Sequence, residues 1–453
     1  MSAALDTRHI QSLVFSGHGR HVHSLVVGLE VEDLTAVRIS SLRLVDQEIS
    51  FGLSSGQRTK ALQFMVSAPG LVALGVDAAR WANLDTAFLE GIVGPQRSRA
   101  LGDVGSNDPG GWRWNDRQVH AMAIFYGAEA EEVDQESKRL FSSGSGWKVI
   151  FEQAMCSPPD RREPFGFRDG ISVPRINVSG GDAPPDGPEL IAPGEIVLGR
   201  RTAADTEIAT PALGIDGAYL VVRQVEQHVQ EFWSFWRSQA KNDEGAVWLA
   251  SKAFGRWPNG MPMEAQSPGA PPPADEKKVQ APLRFASDVR GRRCPFGAHI
   301  RRANPRDSLD DSPEVSLRLV ANHRIIRRGR MYGPAAPAFW YPAGVEVPRL
   351  DSGDKPASDE RGIVFVALCS DLTRQFEFIQ QTWMNNPKFL DLNDESDPIA
   401  AGTNIVSNDG HFTVPGDPVR RRIPGLPLFT TIRAGGYFLM PGREALDLIF
   451  RPN

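Results

Sequence analysis

The chain has 453 residues and a formal net charge of −5 at pH 7, with ordinary apolar and charged fractions. The length predicts two domains, each large enough to bury its own core. The negative charge argues against a general nucleic-acid binder, and the three cysteines are too few and scattered for a disulfide framework or a zinc site. The N-terminus has no apolar signal segment and no apolar run reaches the length of a membrane span, so we expect a cytoplasmic protein with no membrane association.

The first half of the chain predicts a ferredoxin-like βαββαβ unit. Apolar runs predict four strands, at 25–31, 61–66, 119–125 and 147–152. A helix is predicted at 129–141, because acids come early and Lys138 and Arg139 late, as the helix dipole favours. The first helix of the unit is placed near 70–81, and 90–116 is interpreted as irregular surface.

Three histidines, His18, His21 and His23, stand close together near the start of this unit. Two interpretations are open, a metal site and a polar turn that leads into the first strand. No cysteine or carboxylate nearby completes a metal site, so the turn is favoured.

A glycine-bracketed acid follows the unit. In Gly166-Phe-Arg-Asp-Gly170 the two glycines allow a tight turn, which could project Asp169 into a cavity. An Asp-Gly turn at the surface is the alternative. Residues 180–194, rich in Pro, Gly and Asp, are interpreted as a linker or a long surface loop.

The second half repeats the strand and helix order of the first. It predicts strands at 217–222, 362–368 and 435–441, and an exposed loop at 257–282, where Pro271-Pro-Pro273 excludes regular structure. One apolar stripe predicts a helix through Val225, Val229, Phe232, Trp233 and Trp236. Another predicts a helix through Leu372, Phe376, Ile379 and Trp383, capped by Ser370 or Asp371. The expected fold is α+β, with two ferredoxin-like domains at 1–190 and 191–453 and antiparallel sheets.

The stretch from Arg292 to Arg306 carries one histidine, His299, followed by Arg301, Arg302 and Arg306. A neutral imidazole is a good haem ligand, and guanidinium groups suit haem propionates. A structural histidine is the alternative. The basic block at 290–330 could also bind RNA, but it lacks the interleaved aromatic residues and a signature for that role.

Several segments together resemble the dye-decolorizing peroxidases, from the first strands to the last. Gly166-Phe-Arg-Asp-Gly170 matches the GxxDG motif of that family, and Cys294-Pro-Phe-Gly-Ala-His-Ile-Arg-Arg-Ala-Asn-Pro-Arg306 matches its haem-ligand segment. Ile326-Arg-Arg-Gly-Arg-Met-Tyr-Gly333 matches its distal-arginine segment. Gly362-Ile-Val-Phe365 and Gly435-Gly-Tyr-Phe438 also fit, and the motifs occur in the family's order.

The resemblance implies one haem b, held mainly by the second domain, with His299 as the iron ligand and Asp397 as the partner of its other ring nitrogen. Asp169 would be the distal acid–base group, and Arg327, rather than Arg328, would stabilise the developing charge. Further haem contacts are implied for Arg306 at a propionate, for Ile363 and Phe365 as an apolar distal wall, and for Phe167. Tyr332 and Trp383 resemble proposed radical positions, although simple packing is an equal alternative.

The implied activity is reduction of hydrogen peroxide through a ferryl intermediate, with aromatic or dye-type donors oxidised. A carboxylate as the acid–base group predicts an acidic pH optimum. The expected assembly is a monomer or a small homo-oligomer. The alternatives are a haem-handling protein with little peroxidase activity, which would need neither Asp169 nor Arg327, and a chlorite-dismutase-like enzyme, which would not be expected to have the GxxDG acid.

Overall fold

The computed structural model describes residues 5–53, 59–181, 188–264, 267–269, 271–334, 360–402 and 410–451. Within these ranges the strands are β1 His23–Val31, β2 Ala61–Val66, β3 Ala121–Gly127, β4 Trp147–Cys156, β5 Arg175–Ile176, β6 Leu190–Ile191, β7 Ala218–Gln227, β8 Ile326–Arg327, β9 Arg330–Tyr332, β10 Gly362–Cys369, β11 His411–Val414, β12 Arg421–Pro424 and β13 Thr430–Met440.

The α-helices of the same ranges are α1 Leu34–Arg43, α2 Ala68–Ala73, α3 Thr86–Glu90, α4 Pro95–Leu101, α5 Ala130–Leu140, α6 Val229–Ser238, α7 Asp243–Phe254, α8 Glu276–Gln280, α9 His299–Ala303, α10 Pro313–Ala321 and α11 Arg443–Phe450. Two π-helical segments, Leu372–Glu377 and Ile379–Met384, follow β10.

The main sheet joins both halves of the chain. Its strand order is β7-β13-β2-β3-β1-β4-β9-β10-β8. Because β10 also pairs with β7, all of these strands except β8 form a closed antiparallel ring. The two seams between the halves are short, with Leu439 opposite Val66 in one and Cys156 opposite Met331 in the other. Each half therefore keeps the ferredoxin-like strand order, and the predicted α+β fold is confirmed.

The four strands predicted in the first half are confirmed, and so is the helix after β3. The first helix of the unit was placed wrongly. It is α1, which directly follows β1 and is capped by the Asp33 carboxylate, whereas 70–81 contains only the end of the short helix α2 and one 3₁₀ turn. The prediction that 90–116 is irregular surface is wrong, because this segment includes α4 and buries Trp112 and Trp114.

The second half needs similar corrections. Val225 belongs to β7, and the helix begins only at Val229. The predicted loop 257–282 contains α8 and buries Trp257, while residues 265, 266 and 270 lie outside the described residues. In the predicted linker 180–194, residues 182–187 lie outside the described residues and Leu190–Ile191 forms β6.

The apolar side chains of the sheet alternate between two cores, as expected of strands that are covered on both faces. One core contains Leu25, Val27 and the apolar face of α11, and the other contains Val26 and the N-terminal residues Ile10 and Leu13. A third core, rich in aromatic rings, is built from α6, α7 and the glycine-bracketed loop, and it positions the candidate site. The division at residues 190 and 191 stays a prediction.

None of the helices in the described ranges combines the length and the apolar character needed to cross a membrane.

Candidate active site

The loop that carries Asp169 is closed by one buried glutamate, Glu163. The Gly166 N–H donates to the Glu163 carbonyl at 2.7 Å, and the Glu163 N–H donates to the Phe167 carbonyl at 2.9 Å. The Glu163 carboxylate accepts the N–H groups of Phe165 at 3.0 Å and Phe167 at 2.8 Å, and the Gln227 side-chain amide at 2.6 Å. Burial raises the pKa of Glu163 to about 7. These contacts hold the turn, in which Gly166 has φ 96°, a left-handed value that glycine adopts readily.

Aromatic rings connect this loop to the histidine segment. Phe167 is buried and stacks on Phe254, the last residue of α7, with ring centroids 3.9 Å apart and planes within 14°. Phe254 in turn meets the ring of His299 edge to face, at 6.3 Å. Phe254 was missed by the sequence analysis, because its place between two distant segments arises only from tertiary packing.

His299 is the first residue of α9, and its ring is oriented by Asp397. The Nδ1 atom lies 3.1 Å from both carboxylate oxygens of Asp397, whose side chain is fully buried. Asp397 Oδ1 also accepts the N–H groups of Ile399 and Ala400, at 2.9 and 2.8 Å. Burial alone would raise the pKa of Asp397, but its attraction to His299 and these hydrogen bonds hold the pKa below its ordinary value.

This arrangement places the proton of a neutral His299 ring on Nδ1 and leaves Nε2 with a free lone pair. Nothing in the described part of the chain forms a hydrogen bond with Nε2. A carboxylate-held imidazole of this kind is the usual form of a metal-ligating histidine.

Asp169 and Arg327 form an ion pair, with Arg327 Nη1 3.2 Å from Asp169 Oδ1. The pair is open to solvent, since the side chains are 31% and 47% exposed. The neighbouring arginine is used differently, because Arg328 Nε donates to the Leu13 carbonyl at 2.8 Å. Strand register puts Arg327 opposite Ala367.

Ile363 and Phe365 are half-buried on the same face of β10 as Ala367, and hence on the same face of the sheet as Arg327. Phe365 also packs against Phe376, with ring centroids 6.2 Å apart. The sheet thus presents two apolar side chains and one guanidinium toward a common side.

The Asp169–Arg327 pair lies in the wall of a cavity of about 1200 Å³. The rest of the lining includes residues of the N-terminal segment 15–19, the chain on both sides of the glycine-bracketed loop, α8 and residues 328–331. Among the described residues that line this cavity, His299, Arg306, Ile363 and Phe365 are absent. The structure therefore arranges the predicted site residues as two separate polar pairs, and the aromatic stack of Phe167 and Phe254 links them.

Arg306 is buried, and burial together with neighbouring cations lowers its pKa to about 9. Its Nε atom has no hydrogen-bond partner within the described ranges. Nearby cations include Arg324, which donates to Glu189 at 2.5 Å, and Arg256. A buried guanidinium with a free donor suits an anionic group such as a carboxylate. Arg256 was missed, because it is distant in sequence, and Arg324 was noted only as part of the basic block 290–330.

Arg301 and Arg302, which share this segment with Arg306, donate to backbone carbonyls. Arg301 Nη1 donates to the Cys294 carbonyl at 2.8 Å. Arg302 Nη1 donates to the carbonyls of Trp383 at 2.5 Å and Asn386 at 3.1 Å. Both arginines are buried and connect α9 to the surrounding chain, and their Nε atoms, like that of Arg306, have no hydrogen-bond partner within the described ranges.

The two candidate electron-transfer residues are both buried. The Tyr332 hydroxyl donates a hydrogen bond to the Glu360 carboxylate at 2.9 Å, and Arg113 binds the same carboxylate at 2.9 Å. Trp383 packs edge to face on His323 and Phe378, with centroids 5.3 and 5.4 Å away. Neither lines the cavity beside Asp169.

The histidines near the N-terminus lead into β1, as the favoured interpretation predicted. Over the described ranges, no three His, Cys, Asp or Glu side chains are grouped as a metal site. Cys294 is a buried free thiol, and burial raises its pKa to about 11.

Comparison with known proteins gives a consistent result. No family model matches the chain. The chain is 31% identical over 427 residues to dye-decolorizing peroxidase msp1 of Mycetinis scorodonius, covering 87% of this chain and 77% of that protein. It is 29% identical over 412 residues to dye-decolorizing peroxidase AauDyP1 of Auricularia auricula-judae, covering 85% and 75%. A solved structure of a dye-decolorizing peroxidase in complex with 2,6-dimethoxyphenol superposes with a TM-score of 0.80 at 24% identity, covering 98% of this chain and 99% of that one.

Proposed function

Because the chain belongs to the dye-decolorizing peroxidase family and is a peroxidase, we propose that it works as a haem b enzyme with His299 as the iron ligand. The observation that carries this proposal is the His299–Asp397 pair. It fixes the ring and leaves Nε2 available, whereas a structural histidine would be expected to use both nitrogens. Asp397 would also make the ligand nitrogen more basic.

The remaining residues fit the same cofactor. Arg306, with its free buried donor, would bind a propionate, and Ile363 and Phe365 would form an apolar wall on the side of Arg327. Phe167 would pack near the macrocycle through its stack with Phe254. When bound, the haem would supply the two electrons that cleavage of the peroxide O–O bond consumes.

Asp169 would act as the acid–base group for hydrogen peroxide. Its carboxylate would take a proton from one peroxide oxygen and return it to the other, which then leaves as water. Arg327, 3.2 Å from Asp169, would orient this carboxylate and stabilise the negative charge that develops on the leaving oxygen. Two one-electron donors, expected to be aromatic compounds, complete the reduction of peroxide to two waters.

The decisive test is the absorption spectrum of the haem-loaded protein as one equivalent of hydrogen peroxide is mixed in. Wild-type protein should change its Soret band rapidly, and Asp169→Asn should slow this step by about 10²–10⁴-fold. Asp160→Asn, an exposed acid just before the same loop, is the matched control and should keep the wild-type rate. A haem spectrum that peroxide leaves unchanged would favour a haem-handling protein instead.

Large dyes would exchange electrons at a distance, and Tyr332 is the residue that we propose for this relay. Its hydroxyl already has a proton acceptor in Glu360, as oxidation of a phenol requires. Tyr332→Phe should lower turnover of a bulky dye several-fold and leave turnover of a small phenol unchanged. Tyr126→Phe, also buried, is the control. Dye turnover that survives Tyr332→Phe but falls in Trp383→Phe would move the relay to Trp383.

A further inference from the structure

Helix α9 presents His299 but is too short to hold its own position. It spans only His299–Ala303, and no side chain caps its start at Ala298. Helices of this length are unstable in water by themselves, so the place of His299 depends on contacts that its neighbours make with the rest of the chain. The buried residues of the helix are Arg301 and Arg302.

Arg302 is directed at the part of the chain that carries Asp397. Its Nη2 atom donates to the Glu395 carbonyl. Its Nη1 atom donates to three other carbonyls, those of Trp383 at 2.5 Å, Met384 at 3.2 Å and Asn386 at 3.1 Å. One guanidinium group therefore ties α9 to two separate stretches of backbone, 383–386 and the one that begins at Glu395.

Both stretches support Asp397. The Met384 carbonyl, which accepts from Arg302, also accepts the Asp397 N–H at 2.8 Å. Glu395 lies two residues before Asp397 in the chain. On its own helix, Arg302 follows His299 by three residues, so the two lie about one helical turn apart. A side chain of the ligand's helix thus holds the backbone from which the carboxylate partner of the ligand extends.

Arg302 also brings a buried positive charge toward Asp397. It is 0% exposed, and so is the Asp397 side chain. Burial raises the pKa of Asp397, but attraction to His299, hydrogen bonds and attraction to Arg302 together outweigh it and lower the pKa. A carboxylate that stays ionised accepts the Nδ1 proton more strongly, which makes the ligand nitrogen more basic.

We propose that Arg302 is a positioning residue for the iron ligand, because it holds the Asp397 backbone where its carboxylate can accept the His299 Nδ1 proton. The inference rests on the proposed function and adds a residue that acts on His299 through Asp397. Arg301 provides the contrast. It is also buried, and each guanidinium lies over an aromatic ring. Arg301 donates instead to the Cys294 carbonyl, in the chain before the ligand.

A double-mutant cycle on haem affinity separates positioning from simple anchoring. Arg302→Met keeps the side-chain stem but removes the donors, and it should lower haem affinity by about 10-fold, as for other groups that orient a metal ligand. In an Asp397→Asn background the charged acceptor is already gone, so the same change should cost less than about 2-fold. Arg301→Met is the matched control, and its loss should agree in the two backgrounds to within about 2-fold.

The iron–histidine stretching band of the reduced, haem-loaded protein, measured by resonance Raman spectroscopy, reports the same contact directly. A weaker hydrogen bond from Nδ1 makes the ligand less basic. Arg302→Met should therefore shift the band to lower frequency, as Asp397→Asn does, whereas Arg301→Met should leave it in place. Arg302→Lys keeps the charge but has one nitrogen for carbonyls that two nitrogens reach, so it should fold and give an intermediate shift.

Hydrogen exchange of the haem-free chain tests the support of Asp397 without any cofactor. The peptide that contains Asp397, Ile399 and Ala400 should exchange several-fold faster in Arg302→Met than in the wild type or in Arg301→Met. The reason is that the Met384 carbonyl, which accepts the Asp397 N–H, would lose its contact with the guanidinium.

The inference is overturned if Arg302→Met leaves the stretching band unchanged, or if its loss of haem affinity is the same in both backgrounds. A reduced wild type without an iron–histidine band would overturn the proposed ligand instead. Exchange on the haem-free chain would then still decide whether Arg302 holds Asp397, and unchanged exchange in Arg302→Met would overturn that as well.

Discussion

The two polar pairs of the candidate site are built in opposite ways. Asp397 has a fully buried side chain and, besides His299, binds two backbone N–H groups. Asp169 is 31% exposed, and its partner Arg327 is 47% exposed and bound to it by one contact of 3.2 Å. A carboxylate held by several donors away from water keeps one charge and one orientation, whereas one at a cavity wall can exchange protons with solvent. The first pair suits a ligand and the second suits acid–base chemistry.

The largest effect of a substitution is expected at the buried His299–Asp397 pair. His299→Ala should abolish specific haem retention, because the proposed iron ligand is removed and the Asp397 charge loses its partner. Purified variant protein reconstituted with haem should show a Soret absorbance per chain near that of non-specific binding, and no peroxidase turnover.

His23→Ala is the matched control, because this half-buried histidine begins β1 and lies in neither pair. It should retain haem normally. If His299→Ala still bound one haem per chain with an unchanged spectrum, the ligand would have to be another residue, and the contrast between the two pairs would lose its basis.

The next effect is smaller and concerns the partner of the ligand. Asp397→Asn keeps the shape of the side chain but removes its charge, so we expect haem affinity to fall by about 10–100-fold. Titration of haem into the haem-free protein measures it. Asp394→Asn is a close control, since Asp394 binds His411 at 2.9 Å instead of His299. Equal affinities for the two variants would show that Asp397 does not act through His299.

The sequence predicts the polar residues of both pairs better than their surroundings. Gly166-Phe-Arg-Asp-Gly170 and the segment around His299 are local motifs, so they can be recognised without a fold. The Asp397 partner was also predicted, and its 3.1 Å contact with Nδ1 is what that prediction requires, although the roles of both pairs stay predictions. The choice of Arg327 over Arg328 also stays a prediction. It agrees with the strand register, which puts Arg327 opposite Ala367, and with the Arg328 side chain donating to the Leu13 carbonyl.

What the sequence could not show depends on contacts between distant segments. Phe254 and Glu163 have no distinctive local pattern. Phe254 nevertheless joins the glycine-bracketed loop to His299, and Glu163 closes that loop. Helix α1 was missed because it fully buries only Val37 and Ser41, which is too little to produce a clear apolar stripe. The direction of Arg301 could not be predicted for a related reason, since charge alone does not reveal that this side chain donates to the Cys294 carbonyl.

The smallest effect on catalysis is expected at Glu163, the buried carboxylate that closes the loop carrying Asp169. Its main effect is expected on the stability of the folded protein. Burial raises its pKa from 4.5 to about 7 in the folded protein. Between these values the folded chain holds a proton that the unfolded chain has released, so this contribution to the free energy of unfolding is complete below about pH 4.5 and is lost as the pH rises through about 7. The loss is on the order of 3 kcal/mol.

Urea unfolding at pH 5, 6, 7 and 8 should therefore show the stability of the wild type falling relative to that of Glu163→Gln, whose amide cannot titrate. The exposed Glu231→Gln, on α6, should show no such divergence. Parallel curves for wild type and Glu163→Gln would mean that the carboxylate stays ionised beside its three donors, and the loop that carries Asp169 would then be held by a full charge, as the Asp397 site is.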